Sequence, residues 1–154
     1  MKIRIVMLGK TNQELLGTGP DSYQKMLGKF TEVELIEVKE EAVTDDINRV
    51  LLKEAQRIEK YLKPDTYTVI LDEAGKSFSS LALADHFSAL IDEGRANWTF
   101  VIGSSHGLHD DIKQRADLRL SLSPLTMNHQ IVRLFLLEQL YRMFSIQKGL
   151  PYHK

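Results

Sequence analysis

The residues best placed to do chemistry lie in the last third of the chain. An apolar run, Trp98 to Ile102, breaks at Gly103-Ser104-Ser105-His106-Gly107-Leu108, the pattern of a buried strand entering a small-residue turn that starts a helix. A second run, Leu118 to Ser123, empties into Pro124-Leu125-Thr126-Met127. The longest apolar-periodic segment follows, His129 to Phe144, and then a polar tail, Gln147 to Lys154, that closes on Tyr152-His153-Lys154. Strand ends that turn on small residues can shape a ligand pocket, and a helix with a basic tail can grip a polyanion. The pattern therefore reads as a ligand site beside a polyanion site.

Charge supports that division. The chain has 154 residues and a net charge of −1, yet the charge is unevenly spread. Residues 112–154 hold seven Lys/Arg and only two acids, Asp117 and Glu138, whereas residues 1–111 are net acidic. A localised basic face can approach phosphates while the rest stays in solvent.

Several chemistries are argued against by spacing. Gly103 and Gly107 lack the dinucleotide-binding spacing, and Gly75-Lys76-Ser77 resembles only the end of a phosphate loop, because Ile70 stands where its first glycine is needed. There is no Gly-x-Ser-x-Gly elbow for acyl transfer. His106 and His109, three apart, could share a helix face, but no third ligand accompanies them and the chain has no cysteine, so no metal site is expected. The lack of cysteine also removes disulfides. Met1-Lys2-Ile3-Arg4 leads straight into a strand-like run without a signal-peptide pattern, and no apolar run is long enough to span a membrane, so a cytoplasmic protein is expected.

The elements that must hold these residues can be taken in order. Lys2 to Leu8 reads as a strand stopping at Gly9-Lys10; a short helical turn and loop follow, then helix from Asp21. Val33 to Val38 reads as a second strand, and Thr44 or Asp45 as the cap of a helix whose stripe is Ile47, Val50, Leu51, Ala55, Ile58 and Leu62. Tyr67 to Leu71 is a third strand, ending at Asp72 to Lys76, then helix from about Ser79 to Glu93 with Gly94 at its end. The strand Trp98 to Ile102, a helix Leu108 to Ala116, the strand Leu118 to Ser121 and the long helix complete the chain. Alternating strands and helices at this spacing predict a single α/β domain over residues 1–154, a mostly parallel sheet flanked by helices, with ligands at the carboxyl ends of the strands. The long helix carries apolar residues over more than one face, which predicts burial on two sides, with a subunit partner expected on one of them. Its remaining stripe holds Arg133, Glu138 and Arg142, with Glu138 and Arg142 at i, i+4.

These residues resemble the RlmH (YbeA-like) family of SPOUT methyltransferases. The carriers are Leu71-Asp72 with Gly75-Lys76, Val101-Ile102-Gly103 with Gly107-Leu108, Leu120-Ser121-Leu122-Ser123 with Leu125-Thr126, His129, Val132-Arg133, Glu138-Gln139 with Tyr141-Arg142, and Tyr152-His153-Lys154. The resemblance implies a SPOUT-type fold with a C-terminal trefoil knot and a homodimer. It implies methylation of N3 of a pseudouridine in large-subunit (23S) ribosomal RNA, with the RNA met within the ribosome. It further implies S-adenosylmethionine held by the segments at Leu71, Gly103 and Leu122, Ser123, Pro124, Leu125, Thr126 and Met127. For the transfer, Arg133 and Arg142 are expected to position phosphate or base, with Glu138 orienting Arg142. His129 and His153 are candidate proton acceptors, and Tyr152 is expected to stack on or bond to a flipped-out base.

Two positions depart from the family pattern. Ser104 stands where the family usually has glycine, and Asn128 where it usually has proline. A side chain at 104 either crowds the cofactor or points away. These departures keep open a non-catalytic RNA- or ribosome-binding module on the same fold, and a methyltransferase for another RNA is a further alternative.

Overall fold

The computed structural model describes residues 1–154. The strands are β1 (Lys2–Leu8), β2 (Glu32–Val38), β3 (Tyr67–Ser77), β4 (Asn97–Ile102) and β5 (Leu118–Ser121). The helices are α1 (Gln13–Leu16), α2 (Gly19–Leu27), α3 (Ile47–Glu59), α4 (Ser80–Asp92), α5 (Asp110–Lys113) and α6 (His129–Gln147). All five strands pair in parallel in the order β2-β1-β4-β3-β5, so the expected α/β sheet flanked by helices is what forms.

Both faces of the sheet are covered, which is why its inner strands read as unbroken apolar runs. Side chains alternate between the faces. On one side Ile3, Ile5, Met7, Val69, Trp98, Phe100 and Ile102 pack with residues of α2, α4 and α6. On the other, Val6, Leu8, Ile70 and Val101 pack with α3 and with Leu108 and Ile112. The apolar surface of α6 is therefore largely satisfied within the chain, by the sheet and its neighbouring helices, although Ile131 and Phe135 remain exposed.

Several expected boundaries move, each for a local reason. Asp46, rather than Thr44 or Asp45, caps α3 by accepting from Arg49 N at 3.1 Å. The helix expected over Leu108–Ala116 shrinks to one turn: Leu108 is drawn into the core and His109 caps the turn through Nδ1, so His106 and His109 do not share a helix face. The third strand does not end at Leu71. It bulges out over Asp72–Gly75 and rejoins β5, so that Leu71 and Lys76 both face Leu120. Gly75 permits this, because a Cβ there would lie 2.5 Å from the Arg119 carbonyl oxygen. No helix is long and apolar enough to cross a membrane.

Candidate active site

The bulge of β3 and the carboxyl ends of β4 and β5 surround a cavity of about 400 Å³, within the range of small-molecule sites. Its floor and walls come from three segments: Leu71 to Glu73, Ile102 to Leu108, and Leu120 with Leu122 to Met127. Of the residues assigned to the cofactor by resemblance, Leu71, Gly103, Leu122, Ser123, Leu125, Thr126 and Met127 line it; Pro124 does not. The end of β1 takes no part either. Gln130 and Arg133 of α6 fasten the chain there, with Gln130 donating to the Lys10 carbonyl and accepting from Asn12 N.

One part of this wall is a tight main-chain turn. Gly103 lies so close to Gly107 that a Cβ would approach its carbonyl oxygen to 2.6 Å, and the turn is closed by Gly107 N donating to the Ser104 carbonyl at 2.9 Å. Gly107 completes it at φ +83°. Ser104 is buried, and its hydroxyl is turned to Glu54 of α3 at 3.3 Å. Asn128 caps α6 by accepting from Gln130 N at 2.8 Å, a bond the proline usual in the family cannot make through its side chain.

The cavity also has a polar rim that the sequence did not single out as a unit. Asp72 pairs with Arg119 and has Lys113 4.0 Å away. Burial pushes the Asp72 carboxyl up, but Arg119, the Ala74 amide and Lys113 outweigh it and hold it below the ordinary range. Thr126 Oγ1 donates to Glu73 at 2.9 Å, tying two lining segments together. His129, at the first turn of α6, lines the same cavity with its pKa lowered, by burial first and by Arg133 second.

The other candidates form a separate cluster at the far end of α6. The helix ends in a Schellman motif: Gly149 at φ +65° lets Leu150 N donate to the Ser145 carbonyl and Gly149 N to the Ile146 carbonyl. The chain therefore turns back and lays Tyr152 and His153 on the helix. Glu138 accepts from Arg142 Nη2 at 2.5 Å, from the Tyr152 hydroxyl at 3.1 Å and from Gln139 Nε2 at 2.7 Å. Arg142 sits over the Tyr152 ring and lies 3.2 Å from His153 Nδ1. Tyr23 of α2, which had no signal beyond its place on an amphipathic helix, meets the Tyr152 hydroxyl at 3.0 Å. Burial and these bonds raise the Tyr152 pKa well above the usual phenol value, so it stays protonated.

Arg133 belongs to neither group. It does not share a solvent stripe with Glu138 and Arg142 but is 1% exposed, donating to the Leu8 carbonyl at 2.5 Å and to Thr11 Oγ1 at 3.1 Å. Five residues separate it from Glu138, which on a helix puts the two well apart around the axis. Its guanidinium joins α6 to β1 instead of facing outward.

Comparison with known proteins agrees with this geometry. The family model described as "Predicted SPOUT methyltransferase" matches residues 1–153. The ribosomal RNA large subunit methyltransferase H of Acetivibrio thermocellus is 40% identical over 159 residues, covering 100% of both chains. Among solved structures, a probable methylase family protein from Haemophilus influenzae Rd KW20 superposes over 99% of this chain and 70% of its own, with TM-score 0.59 and 13% identity. A probable methyltransferase from Bordetella pertussis Tohama I does so over 92% and 95%, with TM-score 0.54 and 16% identity. These two speak for the fold alone. With its strand-end cavity and an end-to-end match in sequence, the chain belongs to the SPOUT methyltransferase family.

Proposed function

We propose that this chain, as a single knotted domain working as a cytoplasmic homodimer, transfers a methyl group from S-adenosylmethionine to N3 of a pseudouridine in large-subunit ribosomal RNA. The observation that carries the reading is the full-length, 40% identity to an enzyme named for methylation of that RNA.

The cavity suits the cofactor chemically. Backbone amides and carbonyls of the Gly103–Gly107 turn and the Leu122–Met127 segment can meet the edges of a purine, and Leu71, Ile102, Leu122 and Val132 offer apolar contact to its faces. The carboxylates of Asp72, already paired with Arg119, and of Glu73 at the rim can accept from hydroxyls. When bound, the cofactor supplies an activated methyl on a positively charged sulfur. What remains for the protein is alignment of the acceptor and disposal of one proton.

Neutral His129, at the cavity wall, is suited to accept that proton. Glu138 fixes the Arg142 guanidinium, and His153 and Tyr152 complete a surface for phosphate and base. Within one protomer the two groups cannot meet on one nucleotide. His129 and Arg142 are thirteen residues apart on one continuous helix, about 20 Å along its axis. A second copy can bring one protomer's tail to the other's cavity. The apolar residues left exposed near the cavity end of α6, Leu125, Ile131 and Phe135, fit such a contact.

Ser104 and Asn128 no longer favour the non-catalytic reading. One turns its hydroxyl to α3 and the other caps a helix, so neither side chain is committed to filling the cavity. Two measurements test the proposal. Calorimetry should give micromolar binding of S-adenosylmethionine, and ribosomal RNA from cells lacking the gene should lack one methyl on a pseudouridine. Intact methylation in those cells would assign the activity elsewhere, and a fully active monomer would remove the shared site.

A further inference from the structure

We propose that Glu54, which touches neither cavity nor substrate, is a positioning residue that sets the shape of the Gly103–Gly107 turn through the hydroxyl of Ser104. Glu54 sits on α3 among residues that otherwise face the core, yet it is 3% exposed and meets no cation within salt-bridge distance. Its two oxygens divide their work. Oε2 accepts from the backbone N–H of Glu41 at 3.1 Å, and Oε1 accepts from Ser104 Oγ at 3.3 Å. Ser104 Oγ in turn lies 3.4 Å from His106 N, which donates to it. A line of donors thus runs from the turn to α3 and on to the loop after β2.

The direction of that line depends on charge. As a carboxylate, Glu54 can only accept, so Ser104 must give it its proton and keeps its lone pairs for the His106 amide. As an acid, Glu54 carries a proton of its own and the hydroxyl is free to rotate. The charged groups around it are Glu40 and Glu41 of the loop, and Arg57 of α3, which is itself engaged by Glu41. The turn contributes only a hydroxyl. Burial therefore outweighs the bonds from Glu41 N and Ser104, and the carboxyl is held above its ordinary range. A buried carboxylate in this position costs the fold stability, because a group with a raised folded-state pKa loses stability as pH rises through that value. A residue that weakens the fold while ordering a cavity wall is a mark of function.

The test uses the full chain and the variants Glu54→Gln, Ser104→Ala and the pair together. Hydrogen exchange reads the His106 amide directly, and calorimetry reads S-adenosylmethionine affinity across pH. Glu54→Gln should leave the melting temperature at neutral pH unchanged or higher, while exchange at His106 speeds up and affinity falls about tenfold, the scale of one bond to a charged group. Ser104→Ala should do the same to exchange and affinity, and the double variant should be no worse than either single, since both cut one line. In wild type, affinity should weaken as pH drops through the raised Glu54 value, and Glu54→Gln should flatten that limb. Affinity and exchange within twofold of wild type in both single variants would overturn the proposal, as would additive losses in the double. A melting temperature that falls in step with affinity would make Glu54 merely structural. The affinity arm rests on the cofactor reading; a wild-type chain that binds no S-adenosylmethionine sinks that reading, and the exchange arm still decides the role of Glu54.

Discussion

The two ends of α6 are built on different principles. At its N-terminal end the cavity is shaped by tight main-chain turns that glycines and small residues permit, lined by apolar side chains, with the carboxylates of Asp72 and Glu73 at the rim. At its C-terminal end the cluster is made of side chains: a carboxylate, a guanidinium, two phenols and an imidazole held in mutual contact. The first arrangement suits a ligand whose shape and edges are read by backbone, the second a partner recognised by charge and stacking. Separating the two by the length of one rigid helix means that neither end can drift independently of it, and the proposed function joins them only through the helix of a second copy.

The largest effect should come from breaking the main-chain end. In Gly103→Val the new Cβ would meet the Gly107 carbonyl at 2.6 Å and the Leu108 side chain at 2.9 Å, so the turn must open. At roughly 1–3 kcal/mol for overpacking, S-adenosylmethionine affinity should fall by up to about a hundredfold. Calorimetry checks it, and undiminished affinity would show that this turn is not the binding wall.

Breaking the side-chain end should give the opposite signature. Arg142→Ala removes the guanidinium that Glu138 holds over the Tyr152 ring. Turnover on ribosomal RNA should drop roughly a hundredfold, at the low end of what one preorganised hydrogen-bond donor contributes. Cofactor affinity should stay within twofold, and an equal loss in both would merge the two ends into one site. Tyr152→Phe is milder. It keeps the ring against Tyr141 and under Arg142 but deletes the hydroxyl shared by Glu138 and Tyr23. Thermal unfolding should register a loss of about 1 kcal/mol, and turnover should fall only a few-fold.

How far each end could be read from the sequence follows from the same contrast. Strand-end turns announce themselves through glycine and the abrupt end of an apolar run, so Gly103 and the 122–127 segment were legible, with Pro124 the one residue that turns out of the cavity. The bulge at Asp72–Gly75 was not, because a polar stretch after an apolar strand reads as an exit; only the pairing with β5, some fifty residues later, draws it back. Arg133 was misplaced for a related reason. An arginine among leucines on a helix looks solvent-bound until β1 presents the Leu8 carbonyl to it. The contact of Tyr23 with Tyr152 spans 129 residues and rests on a Schellman turn whose glycine was visible but whose target was not.

The smallest expected effect sharpens the comparison by isolating one titration at the cavity end. Burial, with Arg133 nearby, holds His129 below the ordinary histidine value in the folded state. Between that lowered value and the unfolded one, near 6.5, the unfolded chain binds more protons than the folded chain. Stability therefore rises with pH across this window and is lost as pH falls through it. His86 is pushed the same way by its own burial, so the quantity to read is the difference between wild type and His129→Gln. Denaturant unfolding from pH 7.5 down to 5 should show wild type losing more stability than the variant. Parallel curves would mean that the imidazole is as free in the fold as in the open chain, and would weaken its claim to be the neutral base at the cavity wall.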